Sequence, residues 1–383
     1  MSEWTYKTLG SICDVKTGNK DVNQGSEDGK YPFFTCAQKI YKIADYVFDG
    51  EAILIAGNGF FNVKYYDGKF DAYQRTYVLM SFSEHAKYVY HYIQHKLDDI
   101  TSDNRGSTIR YIRKGDLTNY KIPLPPTIDE QLRIVGRLEY LLGKLSIAYG
   151  RLDKIPTLLK RFRQSVLSAV CDGRLTADWR MRKDLGEWEN KPLKELCSRF
   201  QYGTSQKSDK SGFVPVLRMG NIQNGKIDWS DLVYTSDKGD IEKFALINGD
   251  VLFNRTNSAE HVGKTAIFEG DASAIFAGYL IKIHNDKTRL NSWYLNHVLN
   301  SLKAKEYCNA VKSDGVNQSN VNAQKLAAFV IPLPPLAEQE EIVHRVDKLF
   351  AIADSIEERY NAVCLQLKKA ERAAYAKAFR GEL

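Results

Sequence analysis

Along two long stretches of this chain, apolar residues recur at alternating steps of four and three. The first seam runs Ile134, Leu138, Leu141, Leu145, Ala148, Leu152, Ile155, and the second runs Ile342, Val346, Leu349, Ala353, Ile356, Tyr360, Val363, Leu367, Ala370, Ala374. A seven-residue apolar repeat kept up this long predicts two long helices packed along a coiled-coil seam. Thr127 with Glu130 predicts a capping box at the first helix, and Gly173 and Gly381 stand where the two helices end. Each helix then covers roughly 43 residues, about 64 Å at about 1.5 Å per residue. Pro156 predicts a kink or brief break in the first, because proline removes an intrahelical hydrogen bond and clashes with the preceding turn.

Elsewhere the pattern is shorter. Ala52–Ala56 and Asp250–Phe253 are compact apolar runs preceded by the turn signals Asp49-Gly50 and Asn248-Gly249, which predicts buried strands. Tyr88–Leu97 and Trp293–Leu302 read as corresponding helices, and SDNRGSTIRYI (102–112) and KSDGVNQSNVN (312–322) as corresponding polar loops. These correspondences belong to a tandem repeat. The pentapeptide IPLPP occurs at Ile122–Pro126 and again at Ile331–Pro335, each time between a strand and a long helix. Prolines there stop the strand ladder and set up helix entry. Glu130-Gln131 then matches Glu338-Gln339, and Gly173-Arg174-Leu175 matches Gly381-Glu382-Leu383. EWTYKTLGSIC from Glu3 matches EWENKPLKELC from Glu187, so the terminal Gly-Glu-Leu is expected beside the start of the chain. Between these landmarks the two copies hardly agree, as in one scaffold carrying two readers of different targets.

Composition changes this picture only through the location of charge. The apolar fraction of 43% and charged fraction of 26% are ordinary for soluble protein, and no run approaches the roughly 18 apolar residues of a membrane span. The start, MSEWTYKTLG, lacks a secretory pattern, so the cytoplasm is expected, and six scattered cysteines without a C-x-x-C argue against disulfides or a cysteine zinc site. Of the net charge of +7, residues 1–121 hold 16 basic and 15 acidic side chains, and residues 184–330 hold 18 and 17. Residues 122–183 hold 12 and 6, so the excess sits around Lys160, Arg161, Arg163, Arg174, Arg180, Arg182 and Lys183.

Motifs that imitate chemistry carry little. Gly57-Asn58-Gly59 lacks the third glycine of a dinucleotide fingerprint and reads as a turn. His91 and His95 have metal-type spacing, but no glutamate follows His91 and no further ligand is apparent, so a place on the helix surface or in helix packing is expected. There is no Walker loop, G-x-S-x-G elbow, acidic nuclease cluster, or N-P-P-Y or D-P-P-Y of a methyltransferase.

With twin IPLPP and EQ entries (Ile122 to Gln131, Ile331 to Gln339), twin helices with Gly-Arg-Leu and Gly-Glu-Leu ends, and two divergent segments before them, the chain resembles the specificity subunits of type I restriction-modification systems over essentially its full length. The resemblance implies an α+β fold: two strand-rich α/β target-recognition domains in tandem pseudo-repeat, separated by two long antiparallel coiled-coil helices. The boundaries are 1–125 and 176–334 for the recognition domains, with 126–175 and 335–383 for the helices. It implies double-stranded DNA as ligand, each domain reading half of an asymmetric split target, and two modification subunits docked on the helices. For that docking we take Glu130, Gln131, Arg161, Arg163, Glu338 and Gln339. No catalytic residue and no metal are expected in this chain. S-adenosylmethionine belongs to the modification subunits, which methylate adenine, and ATP with Mg to restriction subunits. Helices of about 64 Å leave room for about one turn of DNA, roughly 34–36 Å, between half-sites.

Base reading calls for arginine or lysine at guanine and asparagine or glutamine at adenine, presented on polar loops. In the first domain these are Lys16, Lys20, Asn58, Arg75, Arg105, Ser107, Thr108 and Arg110. In the second they are Lys207, Arg218, Asn221, Arg255, Asn257, Lys264, Asn317, Gln318 and Asn320, with Arg255-Thr256-Asn257-Ser258 the densest cluster. Two other readings stay open on sequence alone. One is a single-chain DNA methyltransferase or nuclease fused to its reader, and the other a structural coiled-coil adaptor with binding heads.

Overall fold

The computed structural model describes residues 4–258, 260–315 and 318–383. The chain begins with β1 (Thr5–Thr8), α1 (Leu9–Ile12), β2 (Asp14–Thr17), β3 (Tyr31–Phe34), β4 (Tyr41–Ile43), β5 (Phe48–Ala56), β6 (Val63–Ala72), β7 (Thr76–Met80), α2 (Ala86–Ile100), α3 (Lys114–Thr118) and β8 (Lys121–Leu124). Helices α4 (Ile128–Leu152), α5 (Ile155–Cys171) and α6 (Ala177–Lys183) follow. Next come β9 (Glu189–Pro192), β10 (Cys197–Tyr202), β11 (Val214–Leu217), β12 (Ile222–Gln223), β13 (Lys226–Ile227), β14 (Val233–Thr235), α7 (Lys238–Phe244), β15 (Val251–Asn254), β16 (Thr256–Asn257), β17 (Thr265–Ile267), β18 (Ile275–Phe276) and β19 (Leu280–Asn285). The chain closes with α8 (Ser292–Leu299), α9 (Leu302–Val311), β20 (Ser313–Asp314), β21 (Ser319–Asn320), α10 (Ala323–Ala327), β22 (Val330–Leu333) and the 43-residue α11 (Leu336–Ala378).

Two compact units result, Met1–Asp153 with Tyr360–Leu383, and Lys154–Arg359. The division falls within both helical stretches, so each unit combines one strand-rich segment with a helix pair drawn from both copies of the repeat.

In the first unit a six-stranded sheet has the order β2-β7-β5-β6-β3-β4, antiparallel except between β3 and β6. The run Ala52–Ala56 is buried on both faces because alternate side chains enter different cores. Ile53 and Ile55 join α2 and the helices, while Ala52 and Leu54 join Phe34, Phe70 and Val78. Strand β8, carrying the first IPLPP, pairs with β1. The buried Tyr88 of α2 donates its hydroxyl to the Pro123 carbonyl at 2.8 Å. On α4, Ile134, Val135 and Leu138 share a core with Ala374, Tyr375 and Ala378 of α11. His95 stacks on Tyr375 with ring centroids 5.5 Å apart, and the buried His91 lies alongside, so both histidines pack as expected. Gly381 has φ +75°, and a Cβ there would lie 3.2 Å from the Trp4 indole, so the chain's end rests against its beginning.

Within the second unit the same frame recurs. Strand β22, carrying the second IPLPP, pairs with β9, and Tyr294 of α8 donates to the Pro332 carbonyl at 2.8 Å. In the sheet β10-β19-β15-β17, Val251 and Phe253 face the helices while Leu252 faces a second core with Val216, Phe268 and Phe276. Helix α5 packs Val166 and Val170 against Ile342 and Val346 of α11. Further along, Arg163 donates to Asp354 (2.7 Å) and Glu357 (2.8 Å). The order of these contacts makes the pair antiparallel. Trp188 sits 3.4 Å from a Cβ built on Gly173, φ +75°, as Trp4 does on Gly381.

Three sequence expectations change in detail. The break at Pro156 occupies Asp153 and Lys154, both near helical angles, with the proline in the first turn of α5 where its missing N–H is harmless. Thr127 caps α4 by accepting from the Glu130 N–H (3.2 Å), but the Glu130 carboxylate turns to Arg133 (2.7 and 2.8 Å) and leaves the box half formed. The helix expected over Trp293–Leu302 stops at Leu299, because the Ser301 hydroxyl accepts from Ala304 N–H and starts α9.

Candidate nucleic-acid interface

At one end of the first unit's sheet, four loops are laced by backbone hydrogen bonds. Gln74 N–H donates to Lys20 O (2.9 Å), Gly57 N–H to Arg75 O (2.8 Å), Gly59 N–H to Arg110 O (2.8 Å), and Ile112 N–H to Gly57 O (3.0 Å). Lys20, Arg75, Asn58 and Arg110, separated by up to 90 residues of chain, are thereby gathered. Ser107, Thr108 and Arg110 are exposed on the last of these loops, whereas Lys16 is exposed on β2 opposite Val78. Arg105 holds Asp116 at 2.7 Å, keeps that carboxyl below its ordinary range and so braces the loop. Phe60, at the β5–β6 hairpin tip, and Ile109 stand exposed within the cluster and were not legible as base readers in the sequence.

The second unit repeats the clasp with other side chains. Val321 N–H donates to Arg255 O at 2.9 Å, the counterpart of Ile112 to Gly57. Arg255 is fixed from several sides. Its N–H donates to Tyr279 O (3.0 Å), its Nη1 to Gly278 O (3.3 Å), and its guanidinium carbon lies 4.7 Å from the centre of the Tyr202 ring. The Tyr202 hydroxyl accepts from Ala323 N–H (3.0 Å), and Gly278 N–H donates to Thr204 O (2.7 Å). A Cβ on Gly203 would lie 2.1 Å from Phe276 O, so only glycine lets β10 run this close to the turn. Stacking on an aromatic face restrains a guanidinium without consuming its outer donors. Tyr202 escaped sequence reading because its partner is remote in the chain; its position at a strand end before a glycine is the one local signal.

Near Arg255, Asn257 lies on β16 paired opposite Ser319, the exposed Gln318 immediately precedes β21, and Lys207 is exposed on the loop after Thr204. Asn317 lies outside the described residues. Four other expected base readers are engaged in intrachain bonds. Asn221 is buried and holds a turn, accepting from Arg218 N–H (2.8 Å) and donating to Asp228 O (2.8 Å) and Asp231 O (3.0 Å). Arg218 pairs with Asp231 (2.9 Å), Lys264 donates to Gln223 (3.0 Å), and Asn320 donates to Thr256 (2.8 Å) across the β16–β21 ladder.

The EQ pairs of the long helices also turn inward. Gln131 accepts from His85 N–H (2.9 Å), just before α2, and donates to Glu84 (2.7 Å). Gln339 accepts from Asn291 N–H (2.8 Å), just before α8, and donates to Arg289 O and Pro334 O, both at 2.9 Å. Glu338 takes Thr176 (2.7 Å), Arg180 (2.9 Å) and Trp188 (2.9 Å). All three side chains are 0% exposed. They clasp each recognition segment to its helix, so they are not a partner surface as expected; Arg163 likewise ties α5 to α11. Arg161 remains exposed, and Glu130 is partly so, paired with Arg133.

Two frames with one backbone clasp and different side chains describe the architecture. The family described as "Type I restriction modification DNA specificity domain" matches residues 1–157 and 186–364. This chain belongs to that family. The "Type I restriction enzyme EcoDI specificity subunit" of Escherichia coli is 31% identical, with 100% of this chain and 89% of the relative covered. The "Type I restriction enzyme EcoKI specificity subunit" of Escherichia coli (strain K12) is 31% identical over 74% of this chain and 62% of its own. A solved chain of a type I R-M system superposes with TM-score 0.73 at 17% identity, covering 100% of this chain and 99% of that one, and so shares the fold. In this specificity chain no helix among the described residues is long and apolar enough to cross a membrane. Also among the described residues, no group of three or more His, Cys, Asp or Glu could hold a metal ion.

Proposed function

We propose that the chain is the non-catalytic DNA-reading subunit of a type I restriction-modification complex. The first unit reads one half of a split target through Asn58, Arg75 and Arg110, and the second reads the other half through Arg255, Asn257 and Gln318. One observation carries this: the same backbone clasp, Ile112 N–H to Gly57 O in one unit and Val321 N–H to Arg255 O in the other, is flanked by different polar side chains, Asn58 and Arg110 in the first and Asn257 and Gln318 in the second. Equal frames with unequal readers specify an asymmetric bipartite target. The helical stretches set the interval between half-sites and dock two modification subunits through exposed positions such as Arg161. Those subunits bring S-adenosylmethionine, and restriction subunits bring ATP and Mg, in the cytoplasm.

Near-neutral recognition segments supply little of the phosphate attraction that drives nonspecific DNA binding through counterion release. The chain alone therefore binds weakly, and tight binding follows when partners add basic surface. Methylome sequencing of a host expressing this chain with the methyltransferase genes beside its own is the test. A split, asymmetric adenine-methylation motif supports the reading; a single continuous motif overturns it, as does turnover by the purified chain given S-adenosylmethionine, magnesium, ATP and DNA.

A further inference from the structure

Phe60 is 72% exposed, the more notable because its backbone is fixed. Asn62, buried at the base of the β5–β6 hairpin, donates Nδ2 to the Phe60 carbonyl (3.0 Å) and to the Cys36 carbonyl (2.8 Å). Ala56 N–H donates to Asn62 O (2.9 Å) and closes the hairpin around residues 57–61. Gly59, at φ +72°, makes the turn that puts Phe60 on the tip, and its N–H is held by Arg110 O. The register pairing Asn58 with Tyr111 brings Phe60 abreast of Ile109, itself 59% exposed. A rigid loop thus holds two large apolar side chains in water, forgoing the stabilisation that burial of each would supply. Single exposed apolar residues are common, but a braced pair flanked by Arg75, Arg110 and Asn58 forms one surface of mixed character.

We propose that Phe60, with Ile109 beside it, reads a thymine by packing on its 5-methyl group. The inference rests on the first unit being a DNA reader. In the major groove the thymine methyl is the one apolar group offered by a base edge, and arginine and asparagine beside an apolar ring match the mixed pattern of a groove that presents thymine next to polar edges. The equivalent place in the second unit, counted from the shared clasp, is Ser258, so the methyl-reading element belongs to the first half-site only.

The test uses the chain assembled with its methyltransferase subunits and duplexes carrying its methylated target, with deoxyuridine replacing each thymine in turn. Deoxyuridine keeps the base pair and removes only the methyl. Wild-type complex is expected to lose about 3- to 10-fold in affinity at one position of one half-site, while Phe60→Ala and Phe60→Ser bind both duplexes alike. Thermal unfolding of both variants, at an exposed site, should match wild type. Equal sensitivity to deoxyuridine in wild type and both variants overturns the proposal, as does a first half-site without a T·A pair. A Phe60-dependent rise in 2-aminopurine fluorescence without a deoxyuridine effect also overturns it, in favour of a ring wedged between base steps. Loss of sequence preference in the wild-type complex itself sinks the underlying reading instead.

Discussion

The two recognition units share a frame and differ in how they hold what they present. In the first, side chains project from laced loops, and an apolar pair accompanies the arginines. In the second, one arginine is sandwiched by a tyrosine ring, a tight turn and a strand ladder, with much of its neighbourhood engaged in bracing it. The difference separates what the fold requires from what the target requires. The Tyr88–Pro123 and Tyr294–Pro332 bonds, the inward glutamines and the tryptophans on glycine caps are common to both and hold the frame. The residues between those anchors are free to diverge.

The comparison breaks most severely where the units borrow helix from the other copy. Deleting 360–383 removes Tyr375, Ala378 and Phe379 from the first unit's core and the glycine under Trp4. Burial of that size is worth on the order of 5 kcal/mol, comparable to the stability of a small domain. Limited proteolysis is expected to digest residues 4–153 readily while the segment 186–359 persists; equal protection of both contradicts the shared-helix frame.

Next in size is the contrast between the twin glutamates. Glu338→Ala strands Arg180, Thr176 and Trp188 around a buried site and should destabilise the second unit by about 3 kcal/mol, since breaking a buried pair leaves an uncompensated partner. Glu130→Ala removes an exposed pair with Arg133 and should cost about 0.5 kcal/mol or less. Denaturant midpoints compare the two directly, and equal losses would show the glutamates to be equivalent.

A pH titration sharpens the same asymmetry. His297 is buried against Phe350, and burial pushes its imidazole down to about 4. The unfolded chain binds a proton there below about 6.5 that the folded chain refuses, so stability is intact above that pH and declines as pH falls toward about 4. The loss amounts to roughly 3 kcal/mol at full effect. His297→Leu should flatten unfolding of the second unit over this window; an unchanged slope assigns the proton elsewhere.

Smallest in free energy is the effect on target choice. Tyr202→Ala should loosen Arg255 and relax one base position by about tenfold or less, while Tyr202→Phe, which keeps the ring face, retains the preference; a good bidentate contact is worth about 1–3 kcal/mol. Selection experiments on randomised half-sites read this out, and equal relaxation by both variants would make the hydroxyl, not the ring, the positioning element.

Periodicity made the helices and their packing seam legible in the sequence, and glycines marked their ends, because packing faces and caps are local or regularly spaced signals; the antiparallel sense came with the family resemblance. The double IPLPP located the joint between segment and helix in the same way. What stayed hidden depends on remote partners. Arg105 and Asn221 have the composition of base readers, yet Asp116 and the carbonyls of Asp228 and Asp231 engage them. The EQ pairs look like charged surface in a helix start, but their partners, His85, Asn291, Thr176 and Trp188, lie tens to hundreds of residues away. Tyr202 and Phe60 were missed for the converse reason, since aromatic residues in a sequence read as core until their exposure or stacking is seen.

The central claim is that each unit reads its own half of the target. Methylomes of hosts carrying the complex with Arg255→Ala or with Arg110→Ala test it most directly. The expected result is relaxation confined to one half of the split motif for Arg255→Ala and to the opposite half for Arg110→Ala, with the interval unchanged. Relaxation of the same half by both substitutions, or of both halves by either, contradicts the account.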